Sequence, residues 1–243
     1  MSTNVGRVQQ VWRYPVSSAA GERRQSLPIL ATGPADDRRF AMVDAITGET
    51  AAPERQRRWQ PAPLVRSRMI GPDEPELAVG PGPFLPAWSA DASDALSRHF
   101  GFAVEVRRYG PAARGEPVAK HRYRPGPVHL LTSASVGALH GALPRSCLDV
   151  RRFRPNVLVE TSPSLAGAVE QGWIGREVQL GGVRLAVSKP CGRCSFTTLV
   201  QQGFPLDRDV LRALIRDHDR QFGVLCHVVV AGEIAEGDPV SLL

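Results

Sequence analysis

Val183-Arg184-Leu185-Ala186-Val187 reads as a β-strand and runs directly into Ser188-Lys189-Pro190-Cys191-Gly192-Arg193-Cys194-Ser195-Phe196-Thr197-Thr198, a loop that packs two thiols, two cations and several hydroxyls together. The strand decides the fold class because its neighbours repeat it. Trp173-Ile174-Gly175-Arg176-Glu177 before it, and residues 224–230 and 240–243 after it, are further short segments of strand character, the last two separated by a Gly237-Asp238 turn. The 23 glycines and 21 prolines cut the whole chain into short pieces, which favours strands and turns over a helical bundle. We expect an α+β protein that is predominantly β.

Upstream of this meander, Val157-Leu158-Val159 reads as an apolar strand after Arg151-Arg152-Phe153-Arg154-Pro155-Asn156. Val128-His129-Leu130-Leu131 reads as a buried strand ending at Thr132-Ser133-Ala134-Ser135. Those hydroxyls stand where a helix begins, and Val136, Leu139 and Leu143 continue at helical spacing. A helix capped by Ser89 or Asp91 and stopped by Gly101 leads into a strand at residues 103–107. Residues 39–43 and 5–14 are strands, the latter ended by Pro15 and a small-residue turn at 17–21. Downstream of the loop, residues 195–200 read as a strand, and Asp207 caps a helix carrying Val210, Leu211, Leu214 and Ile215 on one face. Residues 71–86 hold Pro72, Pro75, Pro81, Pro83 and Pro86 and read as the boundary between domains over 1–85 and 86–243.

The net charge of +6 points to an anionic partner. The arginines are scattered and aromatics make up 6% of the chain, so the stacking platforms of a single-strand reader are missing, and a phosphate-bearing small molecule is expected instead of a nucleic acid. Asp36-Asp37-Arg38-Arg39 and the basic stretch at 55–68 around Trp59 read as solvated charge, and Lys120-His121-Arg122-Tyr123-Arg124 as a second basic knot. Four cysteines in 243 residues make no disulfide framework. The first residues lack the apolar core of a signal segment, and no later run approaches the ~20 apolar residues of a membrane span. A cytoplasmic protein with reduced thiols and no membrane partner is the expectation.

Cys191 and Cys194 form a C-x-x-C, for which three chemistries compete. Half of a zinc site needs two more ligands, and the other cysteines are isolated. A dithiol redox pair wants a helix N-terminus after it, where the sequence reads as strand. A single reactive or metal-ligating thiolate is served by Lys189 and Arg193, which lower a cysteine pKa from its usual value. The loop alone leaves the three open. No hydrolase elbow, phosphate loop, zinc-protease or dinucleotide motif occurs, and the six histidines are dispersed and read as surface or packed residues.

Taken in order, five segments resemble the MOSC domain family, named for the C-terminal domain of molybdenum-cofactor sulfurase. They are Leu130-Leu131-Thr132-Ser133-Ala134-Ser135, Arg152-Phe153-Arg154-Pro155-Asn156, Trp173-Ile174-Gly175, Pro190-Cys191-Gly192-Arg193-Cys194 with Thr197-Thr198, and Gly237-Asp238-Pro239-Val240. Tyr14-Pro15-Val16 with Ser18, and Asp37-Arg38-Arg39-Phe40 with Val43-Asp44, resemble the β-barrel domain that often precedes it. The resemblance implies a β-barrel with peripheral helices behind an N-terminal β-rich domain. It also implies molybdenum cofactor (molybdopterin), with Cys194 as the molybdenum ligand, as in the relatives of the mitochondrial amidoxime-reducing component. Arg38, Arg154 and Arg193 are then the cations for the pterin phosphate, and Ser18, Thr132, Ser133, Ser135 and Asn156 the hydrogen-bonding groups.

Two departures stand out. Ser17 occupies the place of a family lysine, and Leu199-Val200-Gln201-Gln202-Gly203 replaces an acidic turn that borders the substrate mouth. No cysteine-rich tail for an iron–sulfur cluster is present, so a reductase of this kind needs a separate electron donor of ferredoxin, flavoprotein or cytochrome type. The expected activity is reduction of an N-hydroxylated or other N-oxygenated small molecule. Its rivals are a persulfide sulfur carrier and a cofactor-binding module using the same loop.

Overall fold

The computed structural model of the chain describes residues 2–110, 117–120 and 128–243. Residues 121–124 of the second basic knot lie outside the described residues. In chain order the first half forms β1 (Thr3–Arg13), β2 (Val16–Ser17), β3 (Glu22–Arg24), β4 (Ser26–Leu30), β5 (Gly33–Pro34), β6 (Phe40–Asp44), β7 (Val65–Gly71), β8 (Glu74–Val79), β9 (Leu85–Pro86), α1 (Ala90–Phe100) and β10 (Val104–Arg108). The second half forms β11 (Val128–Thr132), α2 (Ser133–Ala142), β12 (Val157–Thr161), β13 (Glu177–Leu180), β14 (Val183–Gly192), α3 (Arg208–His218), β15 (Gln221–Val230), β16 (Gly232–Ala235) and β17 (Pro239–Leu242).

β12, β11, β15, β14, β13, β17 and β1 pair in that order, and β1 returns to β12, closing a seven-stranded barrel with β3 hung outside on β1. In a ring with an odd number of strands the alternation of direction must fail once. It fails between β11 and β12, which run parallel with Leu130 opposite Val157. A parallel pair needs a long crossover, and α2 with the chain up to Asn156 provides it. Val8, Leu130, Val159, Leu185, Val224 and Val240 fill the interior. Closure also depends on Gly6, whose φ of 151° and position over β12 leave no room for a Cβ beside the Glu160 carbonyl.

Strand pleating then sorts β11. Val128 and Leu130 face the barrel interior, while Leu131 packs outside with Leu139, Phe153, Leu214 and Phe222 under α2 and α3. His129 shares the outer side of Leu131. The helix ends follow the expected caps. Ser89 Oγ accepts from the Ala92 amide at 3.1 Å, Thr132 Oγ1 from Ser135 at 3.2 Å, and Asp207 Oδ1 from Asp209 at 3.0 Å, while Gly101 closes α1 at φ 78°.

Four local expectations are corrected. Residues 71–86 are no linker: β7, β8 and β9 form a sheet, and Leu77 is buried. The core of this unit joins Val16, Trp59 and Leu77 to Ala87, Leu96 and Val104, so residues on both sides of position 85 pack together. The stretch 55–68 is only in part a solvated face: Arg55, Arg57, Arg58 and Arg68 are exposed, but Trp59 is fully buried against Phe100 and Phe102, and Arg58 pairs with Asp44 at 2.7 Å. Asp37 is likewise no solvated charge, since its carboxylate accepts from the Tyr14 amide at 2.8 Å. Finally, β14 runs on through Gly192, and Ser195–Thr198 is a 3-10 turn instead of a strand.

Candidate functional site

The thiol loop leaves the barrel at Gly192 and is pinned on both sides. The Arg193 amide donates to the Arg220 carbonyl at 2.6 Å, and Ser195 Oγ donates to the Glu54 carbonyl of the N-terminal unit at 3.0 Å. Between these anchors Cys194 is exposed, and Cys191 is half-buried. The hydroxyls of Thr197 and Thr198 turn back onto the carbonyls of Cys194 and Ser195 at 3.0 and 2.7 Å, which closes the 3-10 turn behind the thiol.

Beside the loop, the two parts of the molecule meet around Tyr14. Its phenol donates to the Pro155 carbonyl at 3.2 Å. Arg154 stacks on the ring at 4.2 Å and Arg38 at 5.1 Å. Arg154 also donates to the Ala19 carbonyl and lies 5.3 Å from the Phe196 ring, two residues past Cys194. Arg38 donates to the Arg154 carbonyl at 3.1 Å and pairs with Asp37. Ser18, Arg38 and Arg154 all sit in the left-handed backbone region, at φ 69°, 50° and 54°. Burial opposes the Arg38 charge, yet Asp37 beside it keeps its pKa above the usual guanidinium value, with the Cys191 thiol contributing in the same direction.

Arg193 plays a different part. Its Nη1 donates to the Phe153 carbonyl at 2.8 Å, its Nε to the Phe222 carbonyl at 2.9 Å, and its Nη2 to His129. The guanidinium therefore ties the thiol loop to the strand below, and burial pulls its pKa down while the two loop thiols oppose that. Asn156 is equally committed. Its Oδ1 accepts from the His129 amide at 3.1 Å, and its Nδ2 donates to the Trp12 carbonyl at 3.3 Å, bridging β11 and β1.

The hydroxyls at the start of α2 face a buried carboxylate. Thr132 Oγ1 donates to Glu170 at 2.6 Å, and Ser135 Oγ donates to both of its oxygens at 2.7 and 2.6 Å. Ser133 Oγ instead accepts from the Thr161 amide at 3.0 Å. Burial raises the Glu170 pKa, and the two hydroxyls oppose the rise.

Of the residues named from sequence, Arg38, Arg154, Asn156 and Arg193 gather around Tyr14 and His129 next to the Cys194 loop. Ser18 lies one residue before the carbonyl that holds Arg154. Thr132 and Ser135 turn to Glu170, and Ser133 binds the end of β12. Sequence reasoning missed three residues that organise the site: Tyr14 as the platform for two guanidiniums, His129 as the partner of Arg193, and Glu170. Only Tyr14 carried a signal, in the Tyr14-Pro15-Val16 motif. For the zinc reading, no three His, Cys, Asp or Glu side chains among the described residues stand together as metal ligands. No described helix is long and apolar enough to cross a membrane.

Comparison with known proteins identifies the domains. Residues 120–241 match the MOSC domain model, and residues 5–62 match that of the MOSC N-terminal beta barrel domain. Mitochondrial amidoxime-reducing component 1 of Danio rerio is 38% identical over 73 residues, which span 30% of this chain and 21% of that protein. Among solved structures, the YUAD protein from Bacillus subtilis superposes with a TM-score of 0.52 at 12% identity, over 100% of this chain and 97% of the other, a likeness of fold.

Proposed function

This chain belongs to the MOSC domain family, and from that premise we propose that it is a molybdenum-cofactor-binding oxidoreductase. In this reading it reduces N-hydroxylated or other N-oxygenated small molecules with electrons from a separate protein. The observation that carries the proposal is an exposed thiol, Cys194, on a loop pinned next to three non-glycine residues held at positive φ, Ser18, Arg38 and Arg154. Such backbone costs of order 1–3 kcal/mol per residue and persists where surroundings and function require it.

The donors fit the group. A thiolate is a soft ligand suited to a dithiolene-bound metal, and Cys194 presents it at the surface. Arg38 and Arg154, both held over the Tyr14 ring, offer guanidiniums to a phosphate. Ser18 adds a hydroxyl in the same corner. Bound there, the cofactor would supply the oxygen-atom and electron chemistry. The chain's own part is to fix that ligand and those charges. Arg193 and Asn156 act as positioning residues whose side chains already hold backbone, while Thr132, Ser133 and Ser135 keep the neighbouring strand ends in place.

Metal analysis tests the proposal. Protein from molybdate-replete cells should carry molybdenum, and Cys194→Ser should lose both metal and activity. A metal-poor wild type, or a Cys194→Ser variant that keeps metal and turnover, overturns it. A second reading is favoured by Cys191, a second accessible thiol three residues from Cys194: the pair would carry a persulfide instead. Mass spectrometry after incubation with a cysteine desulfurase separates the two, since a carrier gains a sulfur on one of these cysteines.

A further inference from the structure

Each of the two anchors that hold the Cys194 loop carries exposed cations. On one side the Arg193 amide meets the carbonyl of Arg220, itself an exposed residue. On the other, Ser195 Oγ meets the carbonyl of Glu54, and the exposed Arg55 and Arg57 follow it in the chain. Lys189, on the part of β14 that leads into the loop, is exposed as well. No described carboxylate pairs with Arg57, Lys189 or Arg220, and Arg55 comes only within 3.7 Å of Glu54. Next to these four cations the chain places two carboxylates, Glu54 with its side chain 10% exposed and Asp219, so the surroundings of the thiol are positive. Behind the thiol the chain doubles back. The Asp207 amide donates to the Thr198 carbonyl at 2.9 Å, and Arg152 donates to the carbonyls of Thr197, Leu199 and Pro205 at 3.2, 3.1 and 2.7 Å. No ionisable side chain lies between Thr198 and Asp207, and Val200 and Leu206, one on each arm, are 42% and 49% exposed.

An exposed thiol with a pre-formed apolar lip and unpaired cations about it has the anatomy of a small transient interface, apolar within and charged at the rim. We infer that this face receives an acidic one-electron carrier protein. Its carboxylates meet Arg55, Arg57, Lys189 and Arg220, and its apolar centre meets Val200 and Leu206. The charge selects such a partner over a basic carrier and speeds the encounter at low salt. The carrier visits twice per turnover, because R–NHOH takes up two electrons and two protons to give R–NH2 and water. As the place where those electrons enter, the face rests on the oxidoreductase reading above.

Titration of the full chain with an acidic ferredoxin, and with a basic cytochrome c as the control, tests it. Ferredoxin should bind and cytochrome c should not, and raising the salt from about 0.03 M to about 0.5 M should weaken ferredoxin at least about tenfold. Arg57→Glu with Arg220→Glu should weaken it by a similar factor at the lower salt. Turnover driven by reduced ferredoxin should fall with it, while turnover driven by a small reductant, reduced methyl viologen, should not. Should Arg220→Glu disturb the loop anchor, Arg57→Glu alone and the salt series on the wild type decide. Ferredoxin binding that is absent, indifferent to salt or unchanged by these reversals, or equal binding of cytochrome c, overturns the docking face. Charge-dependent ferredoxin binding by a chain that shows no turnover with either reductant would leave the face standing and remove the oxidoreductase reading.

Discussion

Arg193 donates a hydrogen bond to Nε2 of His129, whose other ring nitrogen lies 3.2 Å from the carbonyl oxygen of Arg154. A carbonyl only accepts and a guanidinium only donates, so the imidazole is neutral with its proton on Nδ1. A second proton would have to sit on Nε2, against the guanidinium. Burial, and then the Arg193 charge, accordingly hold the His129 pKa well below its usual value. The thiol loop is thus anchored on a histidine that must stay neutral.

Stability should therefore fall in mild acid. Unfolded chain binds a proton at this histidine near pH 6.5 while folded chain does not, so the contribution of His129 is complete above about pH 6.5 and declines below it. The limiting slope is about 1.4 kcal/mol per pH unit. Urea midpoints between pH 5 and 8 should show this decline in the wild type and a shallower one in His129→Gln. Parallel profiles would show that the histidine accepts its proton in the folded state.

Arg193→Lys should be no conservative change. An ammonium cannot reproduce the planar fork that meets the carbonyls of Phe153 and Phe222 together. Hydrogen bonds to charged groups contribute about 1.5–3 kcal/mol each. We expect a loss of about 2–3 kcal/mol in chemical denaturation, with the exposure of Cys194 to thiol reagents altered because its loop is unpinned. A variant as stable as the wild type would show that the tether is not needed.

The approach of β15 to this pair depends on Gly223. At φ 76° a Cβ there would meet His129 Nε2 at 2.5 Å and the Leu130 carbonyl at 2.8 Å. Gly237 has φ 94° with nothing within 4 Å. Gly237→Ala should cost only backbone strain, about 1 kcal/mol, whereas Gly223→Ala adds a clash with backbone and should cost about 3 kcal/mol or more. Equal losses in unfolding experiments would contradict the close packing around His129.

What the chain announced in advance was what local chemistry determines. The caps at Ser89, Thr132 and Asp207 lie where a hydroxyl or carboxylate precedes an apolar helical face, and each accepts the expected amide. Residues 71–86 escaped because Pro86 sits on the edge strand β9, where the ladder needs no amide from it. Residues 195–200 escaped because Thr197 and Thr198, good strand formers, spend their hydroxyls on nearby carbonyls. At the candidate site, motif resemblance pointed to Arg38, Arg154 and Cys194, and the fold brings Arg38 and Arg154 together over Tyr14 beside the Cys194 loop. His129 and Glu170 were not, since their partners lie 64 residues away for His129 with Arg193, and 38 and 35 away for Glu170 with Thr132 and Ser135.

Thiol chemistry gives a further check. Cys147 and Cys194 are exposed, Cys191 is half-buried, and Cys226 is enclosed in the barrel, where burial pushes its pKa up to about 12. Native protein at pH 8 should alkylate rapidly at Cys147 and Cys194, more slowly at Cys191, and at Cys226 only after denaturation. Peptide mapping reads the order. Early labelling of Cys226 would mean that β14 and β15 open readily.

Glu170 offers the last test, because two substitutions should move stability in opposite senses. Its side chain is buried, and burial raises its pKa. For a carboxyl with a raised folded pKa, the favourable contribution is complete below the unfolded value of about 4.3 and is lost as pH rises through the folded one. Glu170→Gln removes that charge and keeps an oxygen for Thr132 or Ser135, so its stability relative to wild type should improve from pH 4 to pH 7. Glu170→Ala leaves both hydroxyls without their acceptor and should cost about 2–4 kcal/mol at pH 4, a cost that shrinks toward pH 7 as wild type loses the contribution of its carboxyl. Melting curves of the three proteins decide the matter. A difference between Glu170→Gln and wild type that stays constant with pH would mean that the carboxyl titrates alike in folded and unfolded chain, and that the hydroxyl pair alone fixes the turn from β11 into α2.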